Sequence, residues 1–398
     1  MNAIGIITEY NPFHRGHKWQ IDELRRRFGA GTGIVCAMSG DFVQRGDFAV
    51  ERAHARAEAA VRGGADLVLE LPLPWAIASA EGFARGGVGV LNATGIVSVL
   101  AFGSECGETE PLQRAAETLL RADFSSALRE ALASGTSFAS AREAAARTLV
   151  GEDAAVLKNP NDILGVEYCK AIIESGSVIA PLAMARKAVG HDEGAADGFA
   201  SASHIRGLLA RGEDASAFLT EESAAIYARE CAAGRAPVTM KGAERAILSR
   251  LRAMNEDDFA RFDGGREGLY RRFYDAARTA SSIEELLGEV KTKRYAYARL
   301  RRMLLAAYLG VTAEDMPPRM PYLRVLACSG RGREMLREMK QTALAPVLVK
   351  SADVRALDVR AQRLFGLSAR AEDQYVLAYP NLAAARGGSA WTSGPVIV

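Results

Sequence analysis

Two histidines three residues apart, with a glycine between them, follow a short apolar run: Ile4, Gly5, Ile6 and Ile7 lead through Asn11, Pro12 and Phe13 into His14-Arg15-Gly16-His17. This spacing suits chemistry on a phosphoryl group. Gly16 lets the backbone come close to phosphate oxygens, and a helix opening here offers unpaired N–H groups and a positive dipole end to the same anion. His14 and His17 can donate hydrogen bonds to oxygens on which charge builds when a nucleophile attacks phosphorus. The chain has five histidines in all. A histidine pair on its own more often marks structural residues, but a strand running through a loop into a helix favours the chemical reading.

A second phosphate-binding element is Ser201-Ala202-Ser203-His204-Ile205-Arg206. Hydroxyls at a helix N-cap satisfy some of the first free N–H groups and leave others for phosphate, and Arg206 projects into the same space one turn later. A plain N-cap followed by a surface arginine is the other reading of this segment. HxGH at the end of a first strand resembles the signature of nucleotidyltransferases that cleave ATP between its α- and β-phosphates. The second segment resembles the I-S-S-T-x-I-R loop of that superfamily, with Ala202 and Ser203 at the second Ser and the Thr positions.

The elements that must position these groups alternate between strand and helix patterns, as a parallel sheet with crossover helices requires. Residues 4–7 form a first strand, and the following helix buries Ile21, Leu24 and Phe28. Strands follow at 33–38, 66–71 (stopped by Pro72 and Pro74), 96–102 and 178–184. Helices are expected at 51–62, 81–91, 161–174 and 203–211, and 111–150 is helical throughout. After about residue 215 the alternation gives way to long Arg-, Ala- and Leu-rich helical patterns as far as Leu309. Pro317, Pro318 and Pro321 then punctuate the chain before a mixed region in which 343–349 could be a strand, and Gly387 opens a loosely packed tail.

At 398 residues the chain is long enough for two domains, and 49% apolar with 25% charged residues is ordinary for a globular protein. No apolar run reaches membrane-spanning length, so no membrane is expected as a partner and the expected location is the cytoplasm; DNA is not expected as a partner either. The five cysteines are scattered without CxxC spacing, so they read as reduced and mostly buried, with no metal centre expected. Charge is divided: residues 1–215 hold 21 Lys and Arg against 27 Asp and Glu, and residues 216–398 hold 29 against 21. Such a division suits one half handling a small substrate while the other meets a polyanion.

An ordered set of segments resembles the bacterial tRNA(Met) cytidine acetate ligase family. It comprises Gly5 through His17, Met38-Ser39-Gly40-Asp41-Phe42-Val43-Gln44-Arg45-Gly46, Gly64 through Pro72, and Asn159-Pro160-Asn161-Asp162-Ile163-Leu164-Gly165. In the second half, Lys291-Thr292-Lys293-Arg294-Tyr295 with Arg299, and Pro321 through Leu326, continue it. The pattern departs where Asp41 stands for the usual Asn and Arg52-Ala53 for a Lys-Trp pair, and residues 186–191 follow it loosely. The resemblance implies an α/β fold, with a Rossmann-like HxGH nucleotidyltransferase domain over 1–215 and a mainly helical, basic, tRNA-binding domain over 216–398. It implies adenylation of acetate by ATP, with Mg2+ accompanying the nucleotide, elongator tRNA(Met) receiving the acetyl group, and no tightly bound cofactor.

By that resemblance the ATP site comprises Ile7, Thr8, Glu9, Tyr10, Asn11, Pro12, Phe13, His14, Arg15, Gly16, His17, Lys18, Trp19 and Gln20, with Gly103, Asn161 and Arg186; Ser201, Ser203 and Arg206 join it as the second phosphate element. His14 and His17 are the catalytic pair. Gly103 also has a rationale of its own, because a glycine at a strand end leaves room for a base or ribose at the sheet's carboxyl edge. Lys291, Lys293, Arg294, Arg299, Arg301 and Arg302, interleaved with Tyr295 and Tyr297, form a basic element suited to an anticodon arm. A solvated basic helix face is the alternative, and Lys293 and Arg294 could instead reach the ATP phosphates. Two rival functions share these motifs: an adenylyltransferase acting on a phosphorylated small molecule, and an RNA-binding protein with a degenerate nucleotidyltransferase fold.

Overall fold

The computed structural model describes residues 3–133, 135–136, 138–186, 198–262 and 268–398. Its strands are β1 (Ala3–Thr8), β2 (Gly33–Ser39), β3 (Phe42–Val43), β4 (Asp47–Phe48), β5 (Leu67–Leu71), β6 (Val97–Ser104), β7 (Ala180–Ala185), β8 (Leu323–Cys328), β9 (Val347–Leu348) and β10 (Val396–Ile397). Eight of them make one sheet of order β10-β8-β5-β2-β1-β6-β7, with β9 beside β8, and β3 and β4 form a separate hairpin. Both faces of β1, β2 and β5 are covered, which is why these strands read as continuous apolar runs rather than alternating ones.

β1 pairs in parallel with β2 on one side and with β6 on the other. The chain therefore reverses its direction of winding at β1, and the crevice outside the carboxyl ends of β1 and β6 is where such sheets take ligands. Six helices frame the site and its supports: α1 (Arg15–Phe28), α2 (Ala53–Arg62), α3 (Pro160–Ser175), α4 (Ala202–Ala210), α5 (Tyr297–Leu309) and α6 (Val359–Tyr375). Ile21 and Leu24 of α1 are fully buried as the spacing predicts, but Phe28 is 48% exposed because the helix stops there, at Gly29. The stretch 111–150 is broken into helices Thr109–Leu119, Ala122–Ala133 and Phe138–Val150.

The largest departure from the sequence reading lies in the second half. Leu323–Cys328 enters the main sheet antiparallel to β5, with Leu67 opposite Cys328 and Val68 opposite Ala327. Asp66 fixes this junction: its carboxylate accepts from Ile34 N at 2.9 Å and Ser329 Oγ at 3.1 Å, and Arg25 pairs with it at 3.0 Å. The tail is likewise better seated than expected. Ser389–Thr392 is helical, Trp391 packs edge-on against Phe365 at 4.9 Å, and β10 pairs with β8. The strand expected at 343–349 shrinks to β9. Among the described residues no helix is long and apolar enough to cross a membrane.

Candidate active site

β1 ends in a loop held from several sides. Tyr10 takes a left-handed backbone conformation (φ 44°) with its ring buried, a strained state for a bulky residue that persists only where the surroundings enforce it. Asn11 Oδ1 accepts from Val50 N at 2.8 Å, and Ser223 Oγ donates to Phe13 O at 2.7 Å. The loop delivers His14 to the N-cap of α1, where its Nδ1 accepts from Gly16 N at 3.1 Å. His17 Nδ1 accepts from His14 N at 3.3 Å, and the two rings stack with centroids 3.6 Å apart. Because both Nδ1 atoms act as acceptors, the imidazoles are neutral and their N–H donors are on Nε2. Burial, with the Arg186 charge and then that of Arg206, lowers the His14 pKa to about 3; burial, His14 and Arg186 hold His17 well below its usual range.

The second phosphate element closes on the same loop. Ser201 Oγ accepts from His204 N at 3.2 Å as the N-cap of α4, and Arg206 donates from Nη1 to Asn11 O at 2.8 Å and from Nη2 to Ser203 Oγ at 3.1 Å. Gly103 and Arg186 meet at the ends of β6 and β7, where a Cβ on Gly103 would stand 3.2 Å from Arg186 Cγ. Asn161, in the first turn of α3, donates from Nδ2 to Glu105 Oε1 at 2.5 Å. The structure thus brings His14, His17, Arg186, Gly103, Ser203 and Arg206 to one crevice, with Asn161 on its β6 side.

Other residues of the 7–20 run support the site from behind. Ile7, Tyr10, Pro12 and Phe13 are buried in the core, Arg15 donates to Leu219 O at 3.1 Å, and Lys18 pairs with Asp22 at 2.8 Å along the exposed side of α1. Thr8, Trp19 and Gln20 are half-buried. Glu9 accepts from Gln44 N at 2.8 Å, which ties β1 to the β3–β4 hairpin. Residues 187–191 lie outside the described residues. Sequence reasoning missed Asp162, which is fully buried and accepts from Ser104 Oγ at 2.5 Å and Glu105 N at 2.8 Å, so that it shapes the loop after β6. Its signals were its place in the family-like segment 159–165 and its position two residues after a helix-opening proline.

The HIGH Nucleotidyl Transferase family model matches residues 1–389. Over an alignment of 418 positions spanning all of both chains, the sequence is 34% identical to the tRNA(Met) cytidine acetate ligase of Acetivibrio thermocellus. It is 36% identical to that of Caldicellulosiruptor saccharolyticus, over 94% of this chain and 96% of the relative. The chain belongs to the tRNA(Met) cytidine acetate ligase family. Its fold matches Thermotoga maritima TmcAL bound with alpha-thio ATP at a TM-score of 0.92 and 34% identity, and the apo form at 0.94 and 33%, each over all of both chains.

In this member of the family, α2 supplies the support beneath the crevice. Arg56 is fully buried and donates only to backbone carbonyls: Glu51 O at 2.9 Å, Ser39 O at 3.2 Å, Glu9 O and Gly40 O. It therefore clamps the ends of β1 and β2 together. Glu51 beside it is buried with Oε2 unpartnered, and burial raises its carboxyl pKa to about 8. The folded protein keeps that proton up to about pH 8 while the unfolded chain releases it near 4.5, so this stabilisation is full below 4.5 and is lost as pH climbs through 8. Glu51→Gln should gain stability over the parent as pH rises from 5 to 8, by up to ~1.4 kcal/mol per pH unit. Urea unfolding at pH 5.5, 7 and 8 checks this; a pH-independent difference contradicts it.

The basic element divides in two. Lys293 and Arg294 are exposed, whereas Lys291 Nζ donates to Thr292 O at 2.6 Å and Tyr295 O at 2.7 Å. Tyr295 is buried under Arg299, whose guanidinium lies 5.0 Å from the ring centroid, so of the two tyrosines only Tyr297, 42% exposed, can stack on a base. Arg301 and Arg302 turn inward and are half-buried, Arg301 in an ion pair with Asp47.

Proposed function

We propose that the protein joins acetate to ATP as acetyl-adenylate, releasing pyrophosphate, and then transfers the acetyl group to N4 of the wobble cytidine of elongator tRNA(Met). The observation that carries this reading is the convergence of two neutral imidazoles, a helix N-terminus and two arginines on the switch-point crevice of a chain similar over its whole length to ligases of that name. Acetate is a poor acyl donor until its oxygen is part of a good leaving group, and adenylation supplies AMP as that group. The carboxylate oxygen forms a bond to the α-phosphorus while the bond to the bridging oxygen breaks and pyrophosphate leaves with the electron pair. His14 and His17, through Nε2–H, and Arg186 would stabilise the charge that develops. Magnesium fits as an ion carried by the phosphates, since Mg2+ keeps several waters and needs few protein carboxylates.

In this reading residues 1–215 carry the catalytic groups on a sheet that β8 and β10 from the second half complete, residues 216–398 also supply most of the tRNA-binding surface, and the enzyme works in the cytoplasm. Isotopically labelled acetate, ATP and tRNA, followed by mass spectrometry of nuclease digests, test it. Label is expected in N4-acetylcytidine, and acetate should be required for pyrophosphate exchange before tRNA is added. Label confined to AMP esters, or acetyl-CoA outperforming acetate, would overturn the reading.

Within the basic element Lys293 and Arg294 are exposed, as contact with the tRNA backbone requires. Replacing both with Ala should weaken tRNA binding and make the slope of log K against log salt shallower by roughly 0.7–0.9 for each phosphate no longer neutralised. Filter binding between 50 and 200 mM salt reads this directly. An unchanged slope would remove both residues from the interface.

A further inference from the structure

We propose that Arg301 joins Arg45 and Arg206 in a cationic seat for the β- and γ-phosphates of the nucleotide, and so acts on the pyrophosphate half of adenylation; this rests on the nucleotide reading given above. Arg301 lies 255 residues from its partner on the hairpin, yet the two are packed backbone to backbone. Gly46, at φ 74°, sits so close to α5 that a Cβ there would come within 2.5 Å of the Arg301 carbonyl carbon and the Arg302 nitrogen. Arg301 pairs with Asp47 and donates weakly from Nε to Gly46 O at 3.4 Å.

The hairpin is stitched in turn to the loop after β1. Gln44 N donates to Glu9 Oε1 at 2.8 Å before the turn, and Val50 N donates to Asn11 Oδ1 at 2.8 Å after it. Arg206 reaches the same loop from the other side through Asn11 O at 2.8 Å. Arg206 therefore meets residues 9–11 directly, while Arg301, and Arg45 in the turn between Gln44 and Gly46, are tied to them through the hairpin, with the acids Glu9 and Asp47 among them. Burial holds the Arg206 pKa below the ordinary range; the charges of Glu9 and Asp47 oppose that shift, and those of Arg45 and Arg301 add to it. Three cations against two acids leave an excess of positive charge, which a bound polyanion offsets.

The position also matches where charge goes. His14, His17 and Arg186 lie close enough to act on one another, with Arg206 also reaching His14, and in the reading above the two histidines and Arg186 serve the attacked phosphorus. Negative charge appears on the departing pyrophosphate, and cations preorganised on that side lower the barrier. Lys293 and Arg294 are exposed, as binding to RNA requires; Arg301, with a side chain 29% exposed and seated on the hairpin, is not.

Equilibrium binding of a non-hydrolysable ATP analogue, of pyrophosphate, of AMP and of tRNA to the full chain tests this. Arg301→Ala should weaken the ATP analogue and pyrophosphate by about 10-fold or more and leave AMP and tRNA within about 2-fold, since AMP lacks the two phosphates. Arg301→Lys should restore part of the loss, and Asp47→Asn, which removes a competing anion, should hold or tighten pyrophosphate. The double variant Asp47→Asn/Arg301→Ala leaves no charge unpaired and should bind pyrophosphate as weakly as Arg301→Ala, which separates misfolding from the missing guanidinium. Equal losses for AMP and ATP, or weakened tRNA binding with nucleotide binding intact, overturn the proposal. A parent protein that binds no ATP analogue overturns instead the nucleotide reading on which it rests.

Discussion

Replacing His14 or His17 with Ala is expected to slow acetate-dependent pyrophosphate exchange by about 10²-fold or more while changing ATP affinity far less, because their hydrogen bonds strengthen as charge develops in the transition state. The geometry sets the donor atoms. Each Nδ1 is occupied as an acceptor of a backbone N–H, so Nε2–H is the only donor each ring can offer. Glutamine, whose amide can reach the Nε2 position, should recover more activity than alanine. With the His14 pKa near 3 and that of His17 also depressed, neither ring of the free enzyme changes charge between pH 6 and 8. The profile of kcat/KM for ATP should accordingly show no imidazole step in that range. The unfolded chain protonates both near 6.5, so these groups withdraw stability as pH falls below that value. Near-parental turnover in the double Ala variant would refute the assignment.

Arg56→Met should destabilise the fold by about 4 kcal/mol or more, an effect well above that of a typical substitution. Methionine fills much of the volume, so the loss isolates hydrogen bonding. Four carbonyl oxygens, from Glu9, Ser39, Gly40 and Glu51, lose their donor together, and a buried acceptor left unsatisfied costs about 1–3 kcal/mol. Arg56→Lys retains the charge but offers a compact ammonium where a planar fork reached four acceptors, so it should recover only part of the stability. Activity should fall before stability becomes limiting, because the Glu9 carbonyl lies one residue before the strained Tyr10 and five before His14. Denaturant unfolding of Arg56→Met within about 1 kcal/mol of the parent would show that the clamp is dispensable.

The nucleotide half of this architecture is local in sequence and therefore legible. β1, the His14–His17 turn and α1 occupy one continuous stretch, and each crossover helix follows its strand closely. Features built from distant segments left weaker marks. Leu323–Cys328 is a short buried strand whose apolar pattern Arg324 interrupts, so periodicity alone cannot classify it, and its partner β5 lies more than 250 residues earlier. The β3–β4 hairpin has two-residue strands, too short for any alternation to show. Arg56 sits in an alanine-rich helix where an arginine ordinarily faces solvent; only tertiary structure reveals four carbonyls around it. Tyr295 read as a stacking platform because its neighbours are basic, and it is one of those neighbours, Arg299, that covers it.

The antiparallel strand has a consequence for how the chain is made. During synthesis β1, β2 and β5 leave the ribosome long before β8 does, and until residues 323–328 emerge the outer edge of Leu67–Leu71 has no partner. That edge belongs to a strand buried along its whole length in the finished protein, the kind of unpaired apolar edge that recruits other chains. The nascent protein must therefore keep a hydrophobic seam open across more than 250 residues of translation, so a fragment ending near residue 215 should aggregate rather than survive as a small ATP-binding module.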